Sequence, residues 1–201
     1  MRRAFGVALV AALGWCVASA GPQQEEPLSD TVRGALRAAV AGAGEPPSLV
    51  FSDRAHQRRY QSWLDRTEQR LMARIPEPLA RQDFLQTLWY EAQRAGLQPS
   101  LVLGVVQVES AFRKHAISHA GARGLMQVMP FWSNLIGDGD ALTLFHTQVN
   151  LRFGCTILRH YLDVEAGNLD MALGRYNGSR GQNAYPKAVR AASQGWVVGE
   201  D

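Results

Sequence analysis

In the stretch LVLGVVQVESAF, residues 101–112, a glutamate stands among valines. At helical spacing the positions three, four and seven before Glu109 are Val106, Val105 and Val102, so its carboxyl shares a face with aliphatic side chains. Leu101, Val105, Val108 and Phe112 add a second apolar stripe, and a helix apolar nearly all round is a buried one. Burial disfavours the ionised carboxylate and raises its pKa, which is what a general acid needs at neutral pH. The same pattern also fits a buried ion pair with an arginine such as Arg113 or Arg123, and the helix alone leaves both readings open.

Other reactive side chains read more plainly. His115 and His119 have the i, i+4 spacing of helical metal ligands. The segment KHAISHAGARG, however, holds Gly121 and Gly124, lacks a Glu after its first His and offers no third ligand, so it reads as a loop. Asp138 and Asp140 in IGDGDA form a Gly/Asp cluster expected to be a solvated loop, without the further ligands of a calcium loop. No metal is expected. Cys155 shares the stripe of Leu151, Leu158 and Leu162 and reads as a small buried hydrophobe.

The elements that must hold Glu109 are helices, with no convincing strand. Residues 31–40 suit a short helix, and residues 42–47 a linker. Ser52 or Asp53 caps a longer helix whose Tyr60, Trp63, Leu64, Thr67 and Leu71 keep helical spacing until Ile75 and Pro76 stop it. A third helix is expected from about Gln82 to Ala95, and Pro99 suits the first turn of the helix that carries Glu109. The expected organisation is a leader and linker over residues 21–50, an N-terminal helix over 51–79, the main domain over 80–195 and a tail over 196–201.

Residues 1–20 read as an export signal: Arg2 and Arg3, a short apolar run, then Ala18-Ser19-Ala20. The apolar run is shorter than the roughly 18–20 residues a bilayer core requires. The expectation is a soluble periplasmic protein. The alternative is lipid anchoring in the outer membrane at Cys16, the one route by which a membrane would become a partner. Losing Arg2 and Arg3 lowers the formal net charge from +3 to +1, and the arginines form no basic stripe, which argues against nucleic acid. Without Cys16, Cys155 has no intrachain disulfide partner. With 46% hydrophobic and 19% charged residues, the chain holds enough apolar material for one good core.

Glu109-Ser110, the block GLMQVMP at residues 124–130 and RYNGS at 175–179 resemble, in order and spacing, the soluble lytic transglycosylase (SLT) domain of bacterial cell-wall enzymes, glycoside hydrolase family 23 type. The resemblance covers roughly residues 84–192. It implies an all-α, lysozyme-like domain, here with one or two N-terminal helices, and a polysaccharide lyase that needs no cofactor. Its substrate would be peptidoglycan glycan strands, cleaved at the β-1,4 bond from N-acetylmuramic acid to N-acetylglucosamine. Glu109 would serve as acid and then as base, leaving 1,6-anhydro ends. The resemblance further implies that Ser118 faces the sugar ring, Gln127 and Met129 line the groove, Tyr176 helps hold the glutamate and substrate, and Asn177 and Tyr185 complete the site. Trp132 is a candidate platform for a sugar ring.

Two rival readings stay open. A lysozyme-type muramidase would need a second carboxyl roughly 5 Å away if retaining or 6.5–9.5 Å if inverting. A non-catalytic peptidoglycan-binding accessory would use residues 28–76 to dock a cell-envelope protein partner. The chain departs from the family pattern after Tyr-Asn-Gly, where SRGQNAYP follows, and at Gln98, where an aspartate often caps the catalytic helix.

Overall fold

Side-chain caps open the first two helices. Ser29 Oγ accepts from Val32 N and starts α1 (Asp30–Val40), and Asp53 accepts from His56 N at 2.7 Å and starts α2 (Arg54–Leu71). The computed structural model describes residues 23–44 and 47–198; the expected signal at residues 1–20, Cys16 included, and the end of the expected tail lie outside them. Six further α-helices follow: α3 (Pro78–Arg94), α4 (Pro99–Ser110), α5 (Phe131–Ile136), α6 (Thr147–Val164), α7 (Leu169–Asn177) and α8 (Ala184–Gln194). No strand forms among the described residues. The loop after α4 carries only isolated antiparallel bridges, Ile117 with Arg123 and Arg123 with Val128. The architecture is all-α, as expected.

α3 starts four residues before the expected Gln82. Pro78 sits in its first turn, where the N–H it lacks has no helical partner in any case. Arg81 folds back on the turn between α2 and α3: it donates to Ile75 O at 2.8 Å and Pro76 O at 3.0 Å and pairs with Glu68. Gln98 supplies no side-chain cap to α4, in keeping with its departure from the family pattern.

α6 is the central element, with Leu151, Cys155, Ile157 and Leu158 all buried. It packs on α1, α3 and α7. Where it crosses α3, Arg152 pairs with Glu91 at 2.5 Å, both side chains being almost fully enclosed. Arg152 Nη1 also donates to Ala41 O at 2.9 Å, which ties the turn after α1 to the same ion pair. α2 lies on α3 through an aromatic group in which Trp63 and Trp89 stand 4.8 Å apart and Tyr60 meets Trp89 edge-on. α4 meets α8 at Gly104, where an added Cβ would lie 2.1 Å from Ser193 Oγ and 2.9 Å from Ser193 N.

Two stability outcomes follow. Gly104→Ala gains helix propensity of about 1 kcal/mol but forces α4 and α8 apart, an overpacking penalty of about 1–3 kcal/mol. Thermal denaturation should therefore show a lowered Tm. Glu91→Leu strands Arg152 in the interior, and chemical denaturation should register a loss of about 3–5 kcal/mol.

Candidate active site

Glu109 occupies the last turn of α4, over Val102, Val105 and Val106, none of which is exposed. The helix then stops abruptly. Ala111 and Phe112 both take left-handed backbone angles, φ 50° and 67°, a conformation that costs roughly 1–2 kcal/mol per non-glycine residue. Packing holds them there: the Phe112 ring is buried edge-on against Phe84 and Trp196, with the Arg74 guanidinium above it. The glutamate is thereby left half-buried in the last turn before the break.

Its carboxyl has one protein partner among the described residues. Tyr185, buried on α8, donates its hydroxyl to Oε1 at 2.6 Å. Oε2 is shielded from solvent and has no partner there. Burial pushes the Glu109 pKa up to about 7, and the Tyr185 hydrogen bond opposes that rise by favouring the carboxylate. The negative end of the α4 dipole acts in the same direction as burial. Burial also raises the Tyr185 phenol well above its ordinary value, so it remains a donor. The ion-pair reading of Glu109 fails: Arg113 binds Ser110 O, and Arg123 lies over the Phe145 ring.

The GLMQVMP block forms a tight turn against the loop that follows this helix, where Gly124 N and the Gln127 amide both donate to Ala116 O. Met126 N donates to Asn150 Oδ1 and Met126 O accepts from Tyr176, both at 2.8 Å; Val128 pairs with Arg123 through both backbone groups. Gln127 is left-handed at φ 49°, and its amide donates to Gly124 O at 2.8 Å and Ala116 O at 3.2 Å. Met126 lies so close to α6 that a Cβ on Gly154 would fall 2.3 Å from its sulfur.

The expected site residues therefore divide. Tyr185 touches Glu109. Tyr176, expected to hold the glutamate, is fully buried and gives its hydroxyl to Met126 O instead, so it braces the turn. Gln127 is buried with its amide bound to its own loop, not turned to a groove. Met129 is half-buried against the core. Ser118 accepts from Ala122 N at 3.1 Å and closes the loop around Gly121. Asn177 Oδ1 accepts from Ser179, while its buried Nδ2 has no partner among the described residues. Trp132 is no sugar platform: it is 2% exposed, stacks edge-on with Tyr161 and donates its indole N–H to Gln23. Asp138 and Asp140 are exposed and cap their own turn. Among the described residues no group of three or more His, Cys, Asp or Glu is arranged to hold a metal.

Sequence reasoning missed Gln23 and Asn150, two buried polar residues that reach the turn from distant segments. Asn150 lies in the apolar α6 run, where a buried amide needs a partner; that signal was readable. Gln23 gave none.

Residues 87–197 match the transglycosylase SLT domain, more than half of the chain, and the chain belongs to that family. It is similar to a membrane-bound lytic murein transglycosylase C from Actinobacillus pleuropneumoniae serotype 5b (strain L20), 38% identical over 93 residues, 45% of this chain and 25% of the relative. A protein of that name from Haemophilus influenzae (strain PittEE) is 51% identical over 47 residues, 23% of this chain and 13% of the relative. A transglycosylase of Enterobacteria phage PRD1 is 35% identical over 97 residues, 48% of this chain and 35% of the relative. The matched segment thus spans about a quarter of the first relative's length.

Two measurements probe the carboxyl. Tyr185→Phe removes the bond that favours the carboxylate, so a carbon-13 NMR titration should find the Glu109 pKa above about 7. The raised folded pKa means that Glu109 stabilises the fold while protonated and loses that contribution between the ordinary carboxylate range and about pH 7. Glu109→Gln should accordingly show a higher Tm than the parent at pH 8, with the gap closing below pH 5.

Proposed function

We propose that this chain is a peptidoglycan lytic transglycosylase, exported to the periplasm, that cleaves the β-1,4 bond from N-acetylmuramic acid to N-acetylglucosamine. The observation that carries the reading is the Glu109 carboxyl: held at Oε1 by Tyr185, enclosed at Oε2, and protonated up to about pH 7. Membership of the SLT family supports the substrate class.

In the proposed reaction the Glu109 proton passes to the glycosidic oxygen as the bond to C1 breaks, and the N-acetylglucosamine side departs as an alcohol. Positive charge develops at C1 beside the newly formed carboxylate. That carboxylate then takes the proton of the C6 hydroxyl of the same muramic acid while the C6 oxygen bonds to C1. The ring closes to the 1,6-anhydro sugar and Glu109 regains its proton. No water enters, so no second carboxylate is required. Tyr185 acts by holding the carboxyl in place through both steps. Met129, Asn177 and Ser118 are proposed to meet the sugar from the groove walls, and the unpartnered Asn177 Nδ2 suits a carbonyl acceptor such as an acetamido oxygen. Residues 80–195 are the proposed catalytic domain, braced by α2 and by the leader, with a cell-envelope partner docking on the N-terminal segment.

Digestion of purified peptidoglycan followed by mass spectrometry tests the reading. Anhydro-muramic ends are expected. Products heavier by one water would instead indicate a muramidase, and intact glycan with retained binding a non-catalytic accessory. Glu109→Gln should lower the rate by roughly 10²–10⁴-fold, the usual worth of a positioned acid/base. Because the first step needs the protonated acid, the parent rate should fall as pH rises past about 7.

A further inference from the structure

The turn at residues 126–129 is bound by side chains from α6 and α7, and also by a residue from the far end of the chain. Gln23 is buried, 6% exposed, although it lies in a Gln/Glu/Pro-rich segment of the kind that is ordinarily solvated. Its Oε1 accepts from the Trp132 indole at 3.0 Å and, at longer range, from Met129 N at 3.4 Å. Its Nε2 faces Gln127 O at 3.5 Å.

Two contacts hold the segment around Gln23 in place. Glu26 binds Arg175 through both carboxyl oxygens, at 2.6 and 2.8 Å, and Leu28 packs on the core. Arg175 directly precedes Tyr176, so the leader grips α7 beside the tyrosine that braces Met126.

We infer that Gln23 is a positioning residue of the Glu109 site, fixing the Gln127–Met129 backbone from which Met129 is proposed to meet the sugar. The inference rests on the functional reading above. Gln127 holds a left-handed backbone that glycine would adopt more readily, so its geometry persists only because its neighbours enforce it. Without the Gln23 amide, Gln127 O, Met129 N and Trp132 Nε1 together lose their common partner, and Trp132 Nε1 is left buried without an acceptor. The turn then relaxes toward other conformers, and Met129 moves relative to the Glu109 carboxyl.

The test compares Gln23→Ala and Gln23→Glu with the parent as full exported chains, on soluble glycan fragments, well below each variant's Tm. Misplacement of a groove wall by about 1 Å costs up to a hundredfold. Gln23→Ala is therefore expected to lose roughly ten- to a hundredfold in kcat/KM, mainly through KM, with the pH profile set by Glu109 unmoved. Gln23→Glu keeps the shape and the acceptor for Trp132 but cannot donate to Gln127 O, so it should fall between the two and covers the case in which the alanine variant misfolds. A lowered Tm with kcat/KM unchanged in either folded variant overturns the inference, since a purely structural residue would behave that way. Failure of the functional reading is a separate result: Glu109→Gln would still yield anhydro products, whatever Gln23 does.

Discussion

Everything at this site depends on keeping one carboxyl away from water while giving it a single neutral donor. Val102, Val105 and Val106 supply the apolar floor, and Tyr185 supplies the donor from α8. A charged partner in its place would have drawn the proton off and left an ordinary carboxylate. The close crossing of α4 and α8 at Gly104 brings the two helices near enough for the phenol to reach. The acidity of Glu109 is therefore set by helix packing at one end and helix termination at the other, where Ala111 and Phe112 turn the chain sharply aside.

The second organising feature is the satisfaction of the Met126–Met129 backbone from outside. A tight turn leaves peptide groups that cannot pair with one another, and buried peptide groups need partners. Asn150, Tyr176 and Gln23 provide them from α6, α7 and the leader. Residues scattered over most of the chain thus converge on a few peptides.

Sequence was a good guide to what repeats and a poor one to what is specific to one contact. The helical period placed the valines under Glu109 and gave the direction of its pKa, while local residue types marked Ser52 or Asp53 and Pro99 as helix starts, and Asp53 proved to be the cap. Which tyrosine meets the glutamate was not local: Tyr176 and Tyr185 lie nine residues apart on different helices, and Tyr176 gives its hydroxyl to Met126 O while Tyr185 reaches Glu109. Trp132 was misjudged for a related reason. A tryptophan beside a sugar-site motif suggests a platform, but an acceptor from residue 23 allows its indole to be buried. The early start of α3 depended on Arg81 turning back to cap carbonyls, an arrangement that charge patterning does not reveal.

The ion pair between Glu91 and Arg152 also bears on how the molecule can be divided. Arg152 belongs to the matched family segment, yet one of its acceptors is Ala41 O, well outside it. Trp89, just inside that boundary, is sheathed by Tyr60 and Trp63 from α2. A fragment trimmed to the family limits would bare an indole face and leave a guanidinium short of a carbonyl, so it would be prone to self-association. The contacts that complete the core thus reach beyond the segment that homology recognises.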